Sequence, residues 1–169
     1  MKTTMKAVLI AGLLMANAVM ADTTMKIGVV NVRELMTESP QAIAMDKILE
    51  KEFSPRKNAI ITAQKALQER MQKYQKDGQT MSESERKKTE KDLTEKQRDV
   101  QRMEQEFRED GQTRQREETE KVLKKMSEVI NAIAARDGYD LILNHEAAPF
   151  ASPKVEITQR VLDDLKKSK

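Results

Sequence analysis

No cysteine occurs among the 169 residues. That excludes disulfide staples, thiolate sites and a lipid carried on an N-terminal cysteine. Histidine occurs once, as His145 beside Glu146 in a turn. With no second histidine or cysteine to complete a usual transition-metal set, it reads as a solvated side chain. Neither a G-x-x-x-x-G-K-S/T nor a G-x-G-x-x-G phosphate loop is present. Ser54, Ser127 and Ser152 have no histidine partner in any pattern, and the many carboxylates alternate with Lys and Arg along helix faces, where pairing at i and i+4 accounts for them. The sequence therefore offers no catalytic residue, no metal ligands and no cofactor site, and it argues against an enzyme.

Tryptophan is absent as well, and there are only two tyrosines and three phenylalanines. Scarcity of large apolar side chains is greatest from Glu83 to Glu120, where Leu93, Val100, Met103 and Phe107 stand alone among charged and polar residues. Such a segment cannot build a globular core; it is a solvated helical arm with one thin seam, or it is disordered. No run of apolar residues reaches the length of an ordinary membrane span. Ala7 to Val19 follows Lys2 and Lys6 and precedes small residues at Ala18 and Ala21, the order of a secretory signal peptide rather than a retained anchor. Cleavage is expected after Ala21, with Ala18 also satisfying the small-x-small rule. The leader is thus 1–21 and the mature chain 22–169, one domain by length. Export without cysteine or an ATP motif points to the bacterial periplasm. Formal net charge falls from +3 to +1 once Lys2 and Lys6 are removed, so local charge matters more than the net value.

The organising stretch runs from Phe53 to Phe107. Phe53 mirrors Phe107, Ile60 mirrors Val100 and Leu67 mirrors Leu93 about Thr80, and on each side these residues recur every seven positions. A seven-residue repeat keeps one helix face against a partner, and a chain folding back at its midpoint brings mirrored positions level. The midpoint carries turn residues, with Gly78 expected in the left-handed conformation of a helix C-cap and Ser82 and Glu85 forming a capping box. These features predict an antiparallel hairpin of two helices, 40–77 and 83–137. Ser39-Pro40 starts the first and Gly138 stops the second. Pro55 either bends the first helix or begins another after a corner. The same mirror places Gly111 level with Leu49; opposite Pro55 it would make a hinge, or it has no special role.

Short apolar runs flank the arm. Lys26–Val32 and Tyr139–Asn144 read as strands, Ala147–Ala151 around Phe150 as a third strand confined to an edge by Pro149, and Thr158–Lys167 as a closing helix. The expected fold is α+β: a long hairpin, 40–137, on a small β head made from 22–39 and 138–169. Two or three short strands with unpaired edges bury little area, so the head is expected to be completed by other copies.

Two sets of arm residues invite function. Arg70, Lys73, Lys76, Arg86, Lys87, Lys88 and Lys91 outnumber the acidic residues near the tip and would attract anionic surfaces at low salt, unless they are ordinary decoration of a solvated helix. Met71, Tyr74, Met81 and Met103 are soft, adaptable contact candidates, although Met71 and Met103 also fit seam packing. Nucleic acid is not expected, because no aromatic residues interleave the basic ones.

In this order of elements the chain resembles the Skp (OmpH) family of periplasmic chaperones over essentially all of 22–169. The resemblance is carried by Lys26-Ile27-Gly28-Val29-Val30-Asn31, by Tyr139-Asp140-Leu141-Ile142-Leu143, and by Glu156-Ile157-Thr158-x-x-Val161-Leu162, where the family usually has aspartate in place of Glu156. It implies a homotrimer whose strands form a central barrel and whose hairpins project as coiled-coil tentacles around a cavity. It also implies binding of unfolded outer-membrane proteins without ATP, so that they do not aggregate. Contact with anionic lipid or lipopolysaccharide at the arm tips is a further implication. A coiled-coil spacer or adaptor of the cell envelope is the alternative function.

Overall fold

The computed structural model describes residues 24–168; the expected leader, 1–21, lies outside the described residues. Strand β1 is Ile27–Val30 and pairs in parallel with β2, Leu141–Asn144, in the register Ile27↔Leu141 to Val30↔Asn144. Both strands are shorter than the apolar runs that announce them. Helix α1 is Val32–Glu38, α2 is Pro40–Asp77, α3 is Glu83–Asp137 and α4 is Thr158–Lys167.

Each long helix begins and ends on a local chemical signal. Ser39 is buried, and its hydroxyl accepts the Ala42 N–H at 3.2 Å, while Pro40 occupies the first helical position, where its missing N–H costs no hydrogen bond. At the start of α3 the Ser82 hydroxyl accepts from the Glu85 N–H, and the Glu85 carboxylate accepts from the Ser82 N–H, completing the capping box. Gly138 closes α3 with φ 69°, where any other residue would be strained. Gly78 is different. It is right-handed, at φ −60°, and the reversal is spread over the following residues: Thr80 donates to the Asp77 carbonyl through both its N–H, at 3.0 Å, and its hydroxyl, at 2.8 Å.

Pro55 neither ends nor divides α2, which continues through it as one 38-residue helix. The proline removes the hydrogen bond that the Lys51 carbonyl would have received and sets its ring against that carbonyl. At about 1.5 Å per residue α3 is roughly 80 Å long and outreaches α2 at the end away from the tip. There its character changes, and Val122, Met126, Val129 and Ile133 turn inward.

The head core forms where that end of α3 meets α1, the first turns of α2, and α4. Leu35, Ile133, Val161 and Leu165 are fully buried, with Met126 and Leu162 almost so. Helix α4 supplies three of these from one face, as the 3.6-residue period of Thr158, Val161, Leu162 and Leu165 requires. The expected third strand at Ala147–Ala151 is absent. His145–Ala147 forms a single 3₁₀ turn, the chain beyond it is irregular, and Phe150 is 85% exposed. The free edge of β1 is met instead by Val155–Ile157: the Val29 N–H donates to the Val155 carbonyl at 2.7 Å, and the Ile157 N–H donates to the Val29 carbonyl at 2.9 Å. Proline at 149 removes a ladder donor, whereas β-branched Val155 and Ile157 offer Val29 a carbonyl and an N–H respectively.

A belt of charge ties α4 to the end of α3. Arg136 bridges Asp137 and Asp164, and Arg160 reaches both Asp137 and the Tyr139 hydroxyl. The guanidinium groups hold Asp137 and Asp164 below the usual carboxylate range.

Candidate functional site on the helical arm

The two arm helices meet along a seam with alternating three- and four-residue spacing. On α2, Phe53, Arg56, Ile60, Ala63, Leu67 and Tyr74 are half-buried, and on α3 Leu93, Lys96, Val100, Met103 and Phe107 face them. Phe53 meets Phe107 edge to face, with ring centroids 5.7 Å apart. It also lies over Gly111, where an added Cβ would come within 3.7 Å of its ring. Gly111 is therefore level with Phe53, not with Leu49. The polar cross-arm pairs show the same offset: midway between partners falls on Met81 for Arg70–Asp92, on Ser82 for Tyr74–Glu90, on Glu83 for Arg56–Asp110 and on Ser84 for Gln64–Glu104. The reflection centres near Ser82 rather than Thr80. A shift of two residues in the centre slides one helix past the other by about one turn, which leaves the same faces opposed.

Glu118 is the one buried carboxylate of the arm base, 6% exposed. Lys121 at 2.7 Å and Arg114 at 3.0 Å neutralise it, and the hydrogen bond from Lys121 holds it below the ordinary glutamate range against the opposing effect of burial. Arg114 also reaches Glu52 across the arm at 3.0 Å. These contacts brace the hairpin where it enters the head.

Of the basic tip residues, Arg70 is paired with Asp92, Lys87 with Glu83 at 2.7 Å and Lys91 with Glu95 at 3.8 Å. Among the described residues Lys73, Lys76, Arg86 and Lys88 have no ion-pair partner, and all seven side chains are exposed. Asp77, Glu85 and Glu90 of the same segment have no ion-pair partner among the described residues either, so the tip carries exposed charges of both signs with the cations in slight excess. Tyr74 is half-buried and donates its hydroxyl to Glu90, which together with the nearby negative charge raises its pKa above the ordinary tyrosine value. Met71 is 45% exposed and points away from the seam, while Met81 and Met103 are half-buried beside it.

Between tip and Phe53 one side of the hairpin is hollowed into a furrow that the sequence did not reveal. Its half nearer the head, about 320 Å³, is floored by Ala63, Ala66, Leu67, Val100 and Met103. The half nearer the tip, about 300 Å³, is walled by Tyr74, Met81 and Leu93, and Arg70 belongs to both halves. The usable signal was the pair of alanines at seam-proximal positions 63 and 66, where a tightly packed arm would carry larger residues. In the head, His145 is exposed, with Nδ1 3.6 Å from Glu156. Among the described residues no group of three His, Cys, Asp or Glu is arranged to hold a metal ion.

The family model for OmpH-like outer membrane proteins matches residues 26–165. This chain belongs to that family. Its OmpH-like relatives include the chaperone protein Skp of Yersinia pseudotuberculosis, 40% identical over 155 residues, which cover 92% of this chain and 94% of the relative. The chaperone protein Skp of Pectobacterium atrosepticum is 34% identical over the same proportions. A Skp-like protein of Pseudomonas aeruginosa is 28% identical over 92% of each chain. The crystal structure of an OmpH-like protein from Caulobacter crescentus superposes with a TM-score of 0.76 over 86% of both chains, at 18% identity. That likeness establishes the OmpH-like fold: a long helical hairpin standing on a small mixed head.

Proposed function

We propose that this protein is an exported, ATP-independent holdase that binds unfolded outer-membrane proteins between helical arms and keeps them from aggregating. What carries the reading is the arm itself, a hairpin with a sparse apolar seam and a dense charged surface, in a chain whose relatives are named chaperones. A client touching one such arm buries little apolar area, so each contact is weak and exchanges quickly. Several arms around one client raise the effective concentration of the remaining contacts and supply avidity without any nucleotide.

Multiple arms require assembly, and the head supports it. Ile27 and Leu141 are 36% and 41% exposed in paired strands, Phe150 is 85% exposed, and among the described residues the outer edge of β2 is unpaired. In this reading residues 22–169 form one unit, strands from three copies close a barrel, and a leader at 1–21 directs the chain to the periplasm. The unneutralised tip cations Lys73, Lys76, Arg86 and Lys88 add attraction to acidic clients or anionic lipid headgroups, lipopolysaccharide included. Catalysis has no part in it. The names of the relatives favour a chaperone over a fixed envelope spacer.

Light scattering tests the reading. Urea-unfolded outer-membrane proteins are diluted into buffer with near-stoichiometric mature protein and no nucleotide. Suppressed scattering for several unrelated clients is expected, and scattering unchanged from the client alone would overturn the proposal.

A further inference from the structure

The furrow on the arm has a length, a floor and a polarity, and together they define what fits it. From Ala63 to Tyr74 the α2 wall spans about 17 Å, the length of about five residues of extended chain, in which the first, third and fifth side chains share one face. Its floor is apolar and is open because Ala63 and Ala66 contribute only methyl groups, leaving Leu67 and Met103 half-exposed. Both walls are helices whose backbone groups are spent internally, so nothing can pair with a guest's main chain and only its side chains can be read.

Charge along the rim is uneven. In the half nearer the head Asp99 is paired with Arg102 at 3.1 Å, and in the half nearer the tip Asp92 is paired with Arg70 and with Lys96. Toward the tip Lys73 lines the furrow, Lys76 lies one turn farther on, and among the described residues neither has an ion-pair partner. Of the charged side chains that line the furrow, Lys73 at the tip end is thus the one without an ion-pair partner among the described residues.

Resting on the holdase reading, we propose that this furrow is a client-docking subsite. Its occupant is a short extended segment with apolar side chains at alternate positions and acidic residues at the end that lies toward the arm tip. Alternation is the pattern of a membrane β-strand before it is folded, which makes the subsite selective for the chemistry of the clients rather than for exposed apolar surface in general. Arg70, paired with Asp92, lines both halves and marks the boundary between them.

The test uses the mature protein and a fluorescein-labelled peptide in which valine, tyrosine and leucine alternate with threonine and serine and two aspartates end the chain. In an Ala63→Leu/Ala66→Leu variant the furrow is filled from within. Its thermal midpoint is expected to equal or exceed that of the parent, while peptide Kd rises about tenfold or more, the loss expected when one aliphatic side chain is no longer buried. Lys73→Glu/Lys76→Glu is expected to weaken the aspartate-ended peptide and strengthen its lysine-ended counterpart; Lys124→Glu, at the arm base, is expected to change neither. A filled variant that remains folded and binds the peptide as tightly as the parent overturns the subsite. Independently of any variant, the same peptide carrying a diazirine leucine is expected to crosslink within 63–74 and 89–103, and crosslinks confined to the head overturn the subsite as well. The two readings fail separately: a parent protein that cannot suppress aggregation defeats the holdase, whereas suppression that survives filling with peptide affinity unchanged defeats only the furrow.

Discussion

Phe53 packs across the arm between Phe107 and Gly111, and the energy of the ring pair can be isolated. Each ring is half-buried, so truncation to alanine costs about half of the 3–5 kcal/mol seen for a core phenylalanine, roughly 2 kcal/mol. Phe53→Ala loses more than the ring pair, because the Arg56 guanidinium, held by Asp110 at 2.7 Å, sits 5.3 Å from the Phe53 centroid and contributes about 0.5 kcal/mol of cation–π attraction. A double-mutant cycle of Phe53→Ala and Phe107→Ala cancels that contribution. The edge-to-face geometry leaves a coupling of about 1 kcal/mol. Native-state hydrogen exchange of arm amides reads it locally, and urea unfolding followed by circular dichroism reads it globally. Coupling below about 0.3 kcal/mol, the tolerance for independent sites, would mean that the rings do not pack against each other across the arm.

Other consequences follow from single features. Leu165→Ala removes a fully buried side chain of α4 and is expected to cost 2–5 kcal/mol by urea unfolding; a cost under about 1 kcal/mol would mean that α4 does not close the core. Ser82→Ala breaks the capping box and is expected to lower protection of the first α3 amides by about 1 kcal/mol, leaving the head unchanged. Asp137, Asp164 and Glu118 all have folded pKa values below their unfolded ones. The stability they contribute is therefore fully present above the unfolded carboxylate range of about 4 and is lost as pH falls through the folded values. Urea midpoints are expected to be flat from these groups above about pH 5 and to fall below about pH 4, and Asp164→Asn should shallow that fall. Amides at 52–56 and 109–113 are expected to exchange faster than those at 60–70, because Pro55 lacks a hydrogen bond beside Gly111; equal protection would argue against bending there.

The helix boundaries were legible because each rests on neighbouring residues: Ser39-Pro40, Ser82 with Glu85, and Gly138 act within one turn of where they stand. Register was not. A seven-residue repeat specifies which faces meet but is blind to a slide of one turn, and the choice is made by Phe53 packing between Phe107 and Gly111 and by the cross-arm ion pairs. The third contribution to the sheet was misplaced for a related reason. Ala147–Ala151 and Val155–Ile157 are both short and apolar; Pro149 weakens the first, but it is the long-range hydrogen bonds of Val29 that select the second. At the arm tip the basic residues were visible one by one, but which of them remain unneutralised depends on rotamers and partners across the hairpin. The furrow is a consequence of what Ala63 and Ala66 leave unfilled, which a pattern of apolar positions does not encode.

Holding a client between arms requires that several chains share one guest. Native mass spectrometry of the mature protein mixed with an unfolded outer-membrane protein measures this directly. The expected species contains three copies of this chain and one client, with a three-copy assembly when the client is omitted; a single chain bound per client, or a stable single chain at micromolar concentration, would contradict it.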